Sequence, residues 1–257
     1  MTDFVAFQHV QKSFGQKRVY SDLTLTVRRG EVLTLLGGSG TGKSVALKLL
    51  IGLLTADAGR IEVDGVDVAG FTEEQFFPIR RRISMLFQGS ALFDSLTVGE
   101  NVAYPLRLAG TFGAAEIRDR VAQRLDMVGL PGIEQMKPSD LSGGMRKRVG
   151  LARAIAADPE MILYDEPTTG LDPINTRRIN ELILSVQERL GVTSLVVTHD
   201  LPSAFMVSNR LAMLSQGRIV AELPSDQFRD SSEKAIHEFM AAMPVGAQRP
   251  EFPGSAA

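Results

Sequence analysis

Apolar and polar positions alternate with a period of two over Phe4–Val10 and Leu23–Val27, which predicts two strands joined by a polar turn at Lys12-Ser13-Phe14-Gly15-Gln16-Lys17. Leu33-Thr34-Leu35-Leu36 is an apolar run too short to span a membrane; it feeds a glycine-rich turn and then a helical pattern from near Lys43. Arg60 to Val68 has the pattern of a hairpin around Asp64-Gly65. Thr72 and Gln75 stand at capping-box spacing, predicting a helix that ends near Arg80-Arg81-Arg82 as a solvated, dipole-complementing end or an anion site. Ile83 to Phe87 predicts the next strand and delivers Gln88 to a loop.

From Gly89 to about Pro159 the rhythm becomes helical, with Ile117, Val121, Leu125 and Val128 on one face. The stretch at about 89–159 predicts a helical insert between two strands of a core sheet. Strands resume at Met161–Tyr164 and Ser194–Val197, and Pro173 opens a helix with Ile179, Leu182, Ile183, Val186 and Leu190 inward. The expected class is α/β. Residues 1–242 read as one domain carrying that insert. The tail, 243–257, is rich in Pro, Gly and Ala and is expected to be flexible, or to dock on a neighbouring protomer or accessory protein, since the apolar helix Ala235–Met243 leads into it.

Composition narrows the function classes. A formal charge of −2 with both signs interspersed argues against nucleic acid as the main partner. Cysteine is absent, as suits a cytosolic protein without disulfides. Asp3 and Gln8 interrupt any signal peptide, and no run of about 18 uncharged apolar residues occurs, so the chain is not expected to cross a membrane.

The chemistry concentrates where strands end. Gly37-Gly38-Ser39-Gly40-Thr41-Gly42-Lys43-Ser44, followed by Val45, has the pattern and context of a phosphate-binding P-loop. Its glycines let backbone N–H groups curl around a polyphosphate, and the helix N-terminus adds partial positive charge. Lys43 is suited to the β- and γ-phosphates, and the Ser44 hydroxyl to Mg²⁺. Apolar residues run into Asp165 and Glu166, the first placed to hold Mg²⁺ through water, the second to take a proton from attacking water. Gln88 and His199 each follow a strand, where open α/β sheets bind ligands, and His199 is suited to a γ-phosphate contact. Phe14 either stacks on a flat ligand or packs ordinarily. Ser142-Gly143-Gly144 is either a second anion nest or a plain helix cap.

Taken together, GGSGTGKS at 37–44, Gln88, LSGGM at 141–145, ILYDE at 162–166, GLD at 170–172 and His199 resemble the ATP-binding-cassette (ABC) ATPase family in order and spacing, over residues 4 to 240. The resemblance implies a P-loop, RecA-like core with an antiparallel β-subdomain and an inserted helical subdomain. It implies ATP and Mg²⁺, Phe14 on adenine, Gln88 touching Mg²⁺ and sensing a membrane partner, and Glu166 as catalytic base. In the family Ser142, Gly143 and Gly144 belong to the signature that meets ATP held by a second copy, and Asp172 lies in the loop that communicates across the dimer.

Phe87 to Val102 and Met145 are similar to the ATPases of MCE-type (Mla) lipid transporters; cassettes more often have glutamine at 145 and proline near 94. That similarity implies an integral-membrane permease, an MCE lipid-binding protein, a small accessory subunit and phospholipid cargo at the cytoplasmic face of an inner membrane. An importer of another cargo, such as a polar amino acid, and a cassette acting on ribosomes or DNA are the alternatives. The second usually carries paired cassettes or basic stretches, and none is visible here.

Overall fold

The structure is a computed structural model that describes residues 2–241. The tail at 243–257 and the end of the apolar helix before it lie outside the described residues. Ten strands form the sheet: β1 (Asp3–Phe14), β2 (Lys17–Arg28), β3 (Val32–Leu36), β4 (Ala58–Val63), β5 (Val66–Asp67), β6 (Ile83–Leu86), β7 (Met161–Asp165), β8 (Thr193–Thr198), β9 (Arg210–Ser215) and β10 (Arg218–Pro224). Their spatial order is β5-β4-β1-β2-β10-β9-β3-β8-β7-β6. Strands β9, β3, β8, β7 and β6 pair in parallel, whereas β1, β2, β4 and β5 pair antiparallel.

All residues of β3, β7 and β8 are buried, as expected of parallel strands covered on both faces. One face packs on α1 (Lys43–Leu50), α2 (Glu73–Arg82) and the antiparallel strands. The other packs on α3 (Val98–Ala109), α4 (Ala114–Met127), α5 (Gly143–Ala154) and α6 (Pro173–Leu190). A third apolar cluster gathers α7 (Leu201–Val207), α8 (Ser225–Phe228) and α9 (Lys234–Ala241) near β9 and β10.

Local chemistry fixes the ends. Thr72 and Gln75 make the expected capping box, and Thr97 with Glu100 makes another that opens α3. Asp172 caps α6 by accepting from the N–H groups of Ile174 and Asn175, with Pro173 at the first position and Gly191 left-handed at the end.

The two sheet halves meet at β2 and β10, where Arg218 pairs with Asp22. Gly217, left-handed, permits this joint: a Cβ there would lie 2.7 Å from the Val19 carbonyl oxygen. Across the same joint the buried Arg210 guanidinium donates to Glu31 at 2.6 Å and to the Thr26 carbonyl at 2.6 Å, and pairs with Glu222. Truncating one member of such a buried pair costs roughly 3–5 kcal/mol, because the other charge is left stranded.

Two local expectations are corrected. β1 extends through Phe14, which pairs with Lys17, so the turn is only Gly15-Gln16 and the aromatic ring stands at a strand end. Arg80 and Arg82 are not a solvated helix end. Arg80 pairs with Glu73 and donates to the Ile51 carbonyl, while Arg82 joins Asp64 and Glu160, which Arg29 also bridges. These ion pairs tie the β4–β5 hairpin to the core.

Candidate functional site

At the C-terminal ends of β3, β7 and β8, next to the β1–β2 turn, lies a cleft of about 430 Å³. Strand β3 ends at Leu36, and the loop 37–42 folds over the start of α1. Gly42 has φ +106° and caps the helix; a Cβ there would lie 2.5 Å from Val19, so only glycine fits. The buried Tyr20 hydroxyl donates to the Gly42 carbonyl and holds the loop from beneath. Thr41 closes the loop on itself, its hydroxyl 2.9 Å from the Gly38 carbonyl.

Lys43, almost wholly buried, donates to the carbonyls of Gly37 at 2.8 Å and Gly38 at 3.0 Å, and its ammonium lies 3.4 Å from Glu166. The Ser44 hydroxyl donates to Asp165 at 2.6 Å. Ser39, Gly40, Gly42, Lys43, Ser44 and Val45 of the loop and helix start line the cleft together with Phe14, Gln88, Glu166 and His199. The helix N-terminus, the lysine and a ring at the rim suit a nucleoside triphosphate. Ser44 and Asp165 offer hard oxygens to Mg²⁺, which binds through one or two protein oxygens plus phosphates and water.

Glu166 is the most constrained residue of the site. Its φ of +47° is left-handed, a conformation rare outside glycine, and its N–H donates to the Val197 carbonyl of β8. The carboxylate accepts from Thr169 at 3.1 Å and Thr198 at 3.3 Å and lies 2.9 Å from Nδ1 of His199. Burial alone would raise this carboxyl, yet His199, Lys43 and Thr169 together draw it below the ordinary carboxylate value. The Glu166 carboxyl is therefore ionised at neutral pH.

Sequence reasoning missed four contributors. Lys17 and Val19 line the cleft from β2. Their period-two spacing just after the Gly15-Gln16 turn is the signal that points to them. Thr169 and Thr198 hold the Glu166 carboxylate, and each neighbours a singled-out motif. Ser142, Gly143 and Gly144 do not join the cleft of their own chain. Ser142 caps α5 by accepting from the Met145 N–H at 3.2 Å; it is exposed with Gly143, whereas Gly144 is buried against Asn175.

Fold and site together define a P-loop nucleoside-triphosphatase, with Lys43 and Ser44 opening a helix beside paired carboxylates. A sequence model described as ABC transporter matches residues 20–169. The chain belongs to the ABC transporter family, as an ATP-hydrolysing cassette.

It is 43% identical over 235 residues to the probable ribonucleotide transport ATP-binding protein mkl of Mycobacterium tuberculosis, covering 91% of this chain and 66% of that protein. It is 37% identical over 239 residues to the intermembrane phospholipid transport system ATP-binding protein MlaF of Haemophilus influenzae, covering 93% of this chain and 90% of that one. The dimeric, post-hydrolysis structure of the ATP-binding cassette MJ0796 with ADP and Pi superposes with a TM-score of 0.79 at 32% identity, covering 86% of this chain and 98% of that one.

Proposed function

We propose that the chain is the ATPase subunit of a phospholipid transporter, and that two copies hold two ATP molecules between them and drive an integral-membrane permease. The observation that carries this reading is the Glu166 carboxylate, held by His199, Thr169 and Thr198 next to Lys43 and the Ser44–Asp165 pair.

In the proposed reaction Phe14 stacks on adenine, and the backbone N–H groups of residues 37–45 cradle the phosphates. Lys43 takes the β- and γ-oxygens, while Ser44, Gln88 and Asp165 would hold Mg²⁺, which when bound would supply positive charge against the phosphates. Glu166 accepts the proton of the attacking water, and His199 orients Glu166 and the γ-phosphate. Ser142, Gly143 and Gly144 close on ATP bound by the second copy. The exposed position of Ser142 and Gly143, away from their own cleft, supports that sharing. Closure and reopening of the pair convert hydrolysis into motion.

Two observations support the membrane partner and cargo. Buried Asn101 holds the 93–97 loop through the Phe93 backbone and the Thr97 carbonyl. That loop presents exposed Phe93 against exposed Tyr104, with ring centroids 4.9 Å apart, and Leu108 stands exposed one turn further along α3. An exposed apolar group of this kind suits a permease. The relative named for intermembrane phospholipid transport is matched along nine-tenths of its length, which favours phospholipid over ribonucleotide cargo. Among the described residues no helix is long and apolar enough to cross a membrane, which agrees with a peripheral subunit on the cytoplasmic face of an inner membrane.

The assembly is tested by purifying tagged chain from detergent-solubilised membranes and identifying the proteins and lipids that elute with it. A permease, an MCE protein and bound phospholipid are expected, with a small accessory subunit alongside. Elution with ribosomes, or with an amino-acid-binding protein and no phospholipid, would contradict the cargo reading.

A further inference from the structure

Helix α5 turns one face towards the loop that carries Gln88, using Lys147, Gly150 and Arg153 at three-residue spacing. Arg153 donates to the carbonyls of Ser90 and Ala91, both at 2.7 Å. Gly150 allows the helix to lie this close: a Cβ there would be 2.8 Å from Leu86 and 3.2 Å from Ser90. Ser90 and Ala91 are both left-handed, with φ of +63° and +47°, so this loop holds an unfavourable conformation that α5 supports from outside.

Lys147 reaches furthest. Its ammonium, nearly all buried, donates to the Gln88 carbonyl and also to the Glu166 carbonyl at 3.3 Å. One side chain thus grips the backbone of two residues from different strand ends, and Glu166 is itself left-handed. A buried ammonium is costly unless its donors are matched, so the lysine is tolerated here because those carbonyls converge on it. Burial lowers its affinity for a proton, while Asp165 and Glu166 act in the opposite direction through space.

We propose that Lys147 is a positioning residue for hydrolysis: it locks the Gln88 and Glu166 backbones to the helix that begins at Ser142, so that the second copy's engagement of Ser142 is felt at the base. The inference rests on the ATPase reading above. Movement of α5 then shifts both loops together. The hydrogen bonds of Lys147 go to the Gln88 and Glu166 carbonyls and not to the P-loop, so binding of ATP by Lys43 and the loop amides is not expected to depend on it.

The test compares steady-state hydrolysis and ATP binding for wild-type chain, Lys147→Met and Lys147→Arg. Lys147→Met keeps the aliphatic stem and loses the donors; kcat is expected to fall at least ~10-fold with nucleotide affinity within about twofold, the split that marks an interaction made in the transition state. Lys147→Arg, which restores charged donors, is expected to recover most of the rate. Should Lys147→Met fail to fold, Lys147→Gln is read the same way, because its amide is one atom shorter and cannot span both carbonyls. Wild-type kcat in the methionine or glutamine variant, or an arginine variant as slow as methionine, overturns the proposal. A wild-type chain that hydrolyses no ATP overturns the underlying reading instead. Active wild type, inactive Glu166→Gln and fully active Lys147→Met would sink this inference alone.

Discussion

Lys43→Ala is expected to lower ATP affinity at least ~100-fold, about 2.7 kcal/mol, in a calorimetric or fluorescence titration. The buried ammonium is held within the loop by the Gly37 and Gly38 carbonyls, the same loop proposed to cradle the triphosphate. Hydrogen bonds to charged groups contribute roughly 1.5–3 kcal/mol each, and alanine removes both the donors and the positive charge at the most anionic part of the ligand. The variant also removes one cation beside Glu166, so that carboxyl moves back up towards its ordinary value. Binding at wild-type strength would show that the triphosphate does not lie on this loop.

Glu166→Gln separates binding from chemistry. The amide preserves size and keeps polar contact with His199, Thr169 and Thr198, but it cannot accept a proton. Hydrolysis is expected to fall by roughly 10²–10⁴, the usual contribution of a positioned base, while ATP stays bound and paired copies accumulate. Loss of a negative charge beside the γ-phosphate should tighten binding. The pH dependence follows the same residue. Because the folded carboxyl lies below the ordinary value, the base remains ionised across neutral pH, and the wild-type rate is lost only as pH falls through that depressed value. Near-normal turnover in the variant would remove Glu166 from this role.

Much of the site was legible because its parts are contiguous in sequence. An apolar strand followed by glycines, lysine and serine specifies its own geometry, as does an apolar strand running into Asp165 and Glu166. The capping box at Thr72 was equally local. What escaped depends on distant residues meeting. Lys147 looks like part of a basic helical run, and only the approach of the Gln88 and Glu166 carbonyls makes it a clasp. Arg80 and Arg82 looked solvated because their partners, among them Glu160, lie far along the chain or on the same helix's opposite end. The β9–β10 hairpin, turning at left-handed Gln216 and Gly217, was not anticipated, nor was the β2–β10 seam that sets the strand order. The single-chain structure also presents Ser142 simply as a helix cap, accepting from the Met145 N–H, and holds no second copy against which the division proposed above would take shape.

That division is the central claim, and mixing two disabled chains tests it most directly. Chain carrying Lys43→Ala and chain carrying Ser142→Phe are each expected to be inactive alone, one for want of a phosphate grip, the other for want of a serine at its partner's ligand. In a two-fold pair that exchanges these surfaces, a mixed dimer regains one intact site. ATP hydrolysis by the mixture should therefore rise well above the sum of the separate chains. A mixture no more active than that sum would contradict a nucleotide site built from both copies.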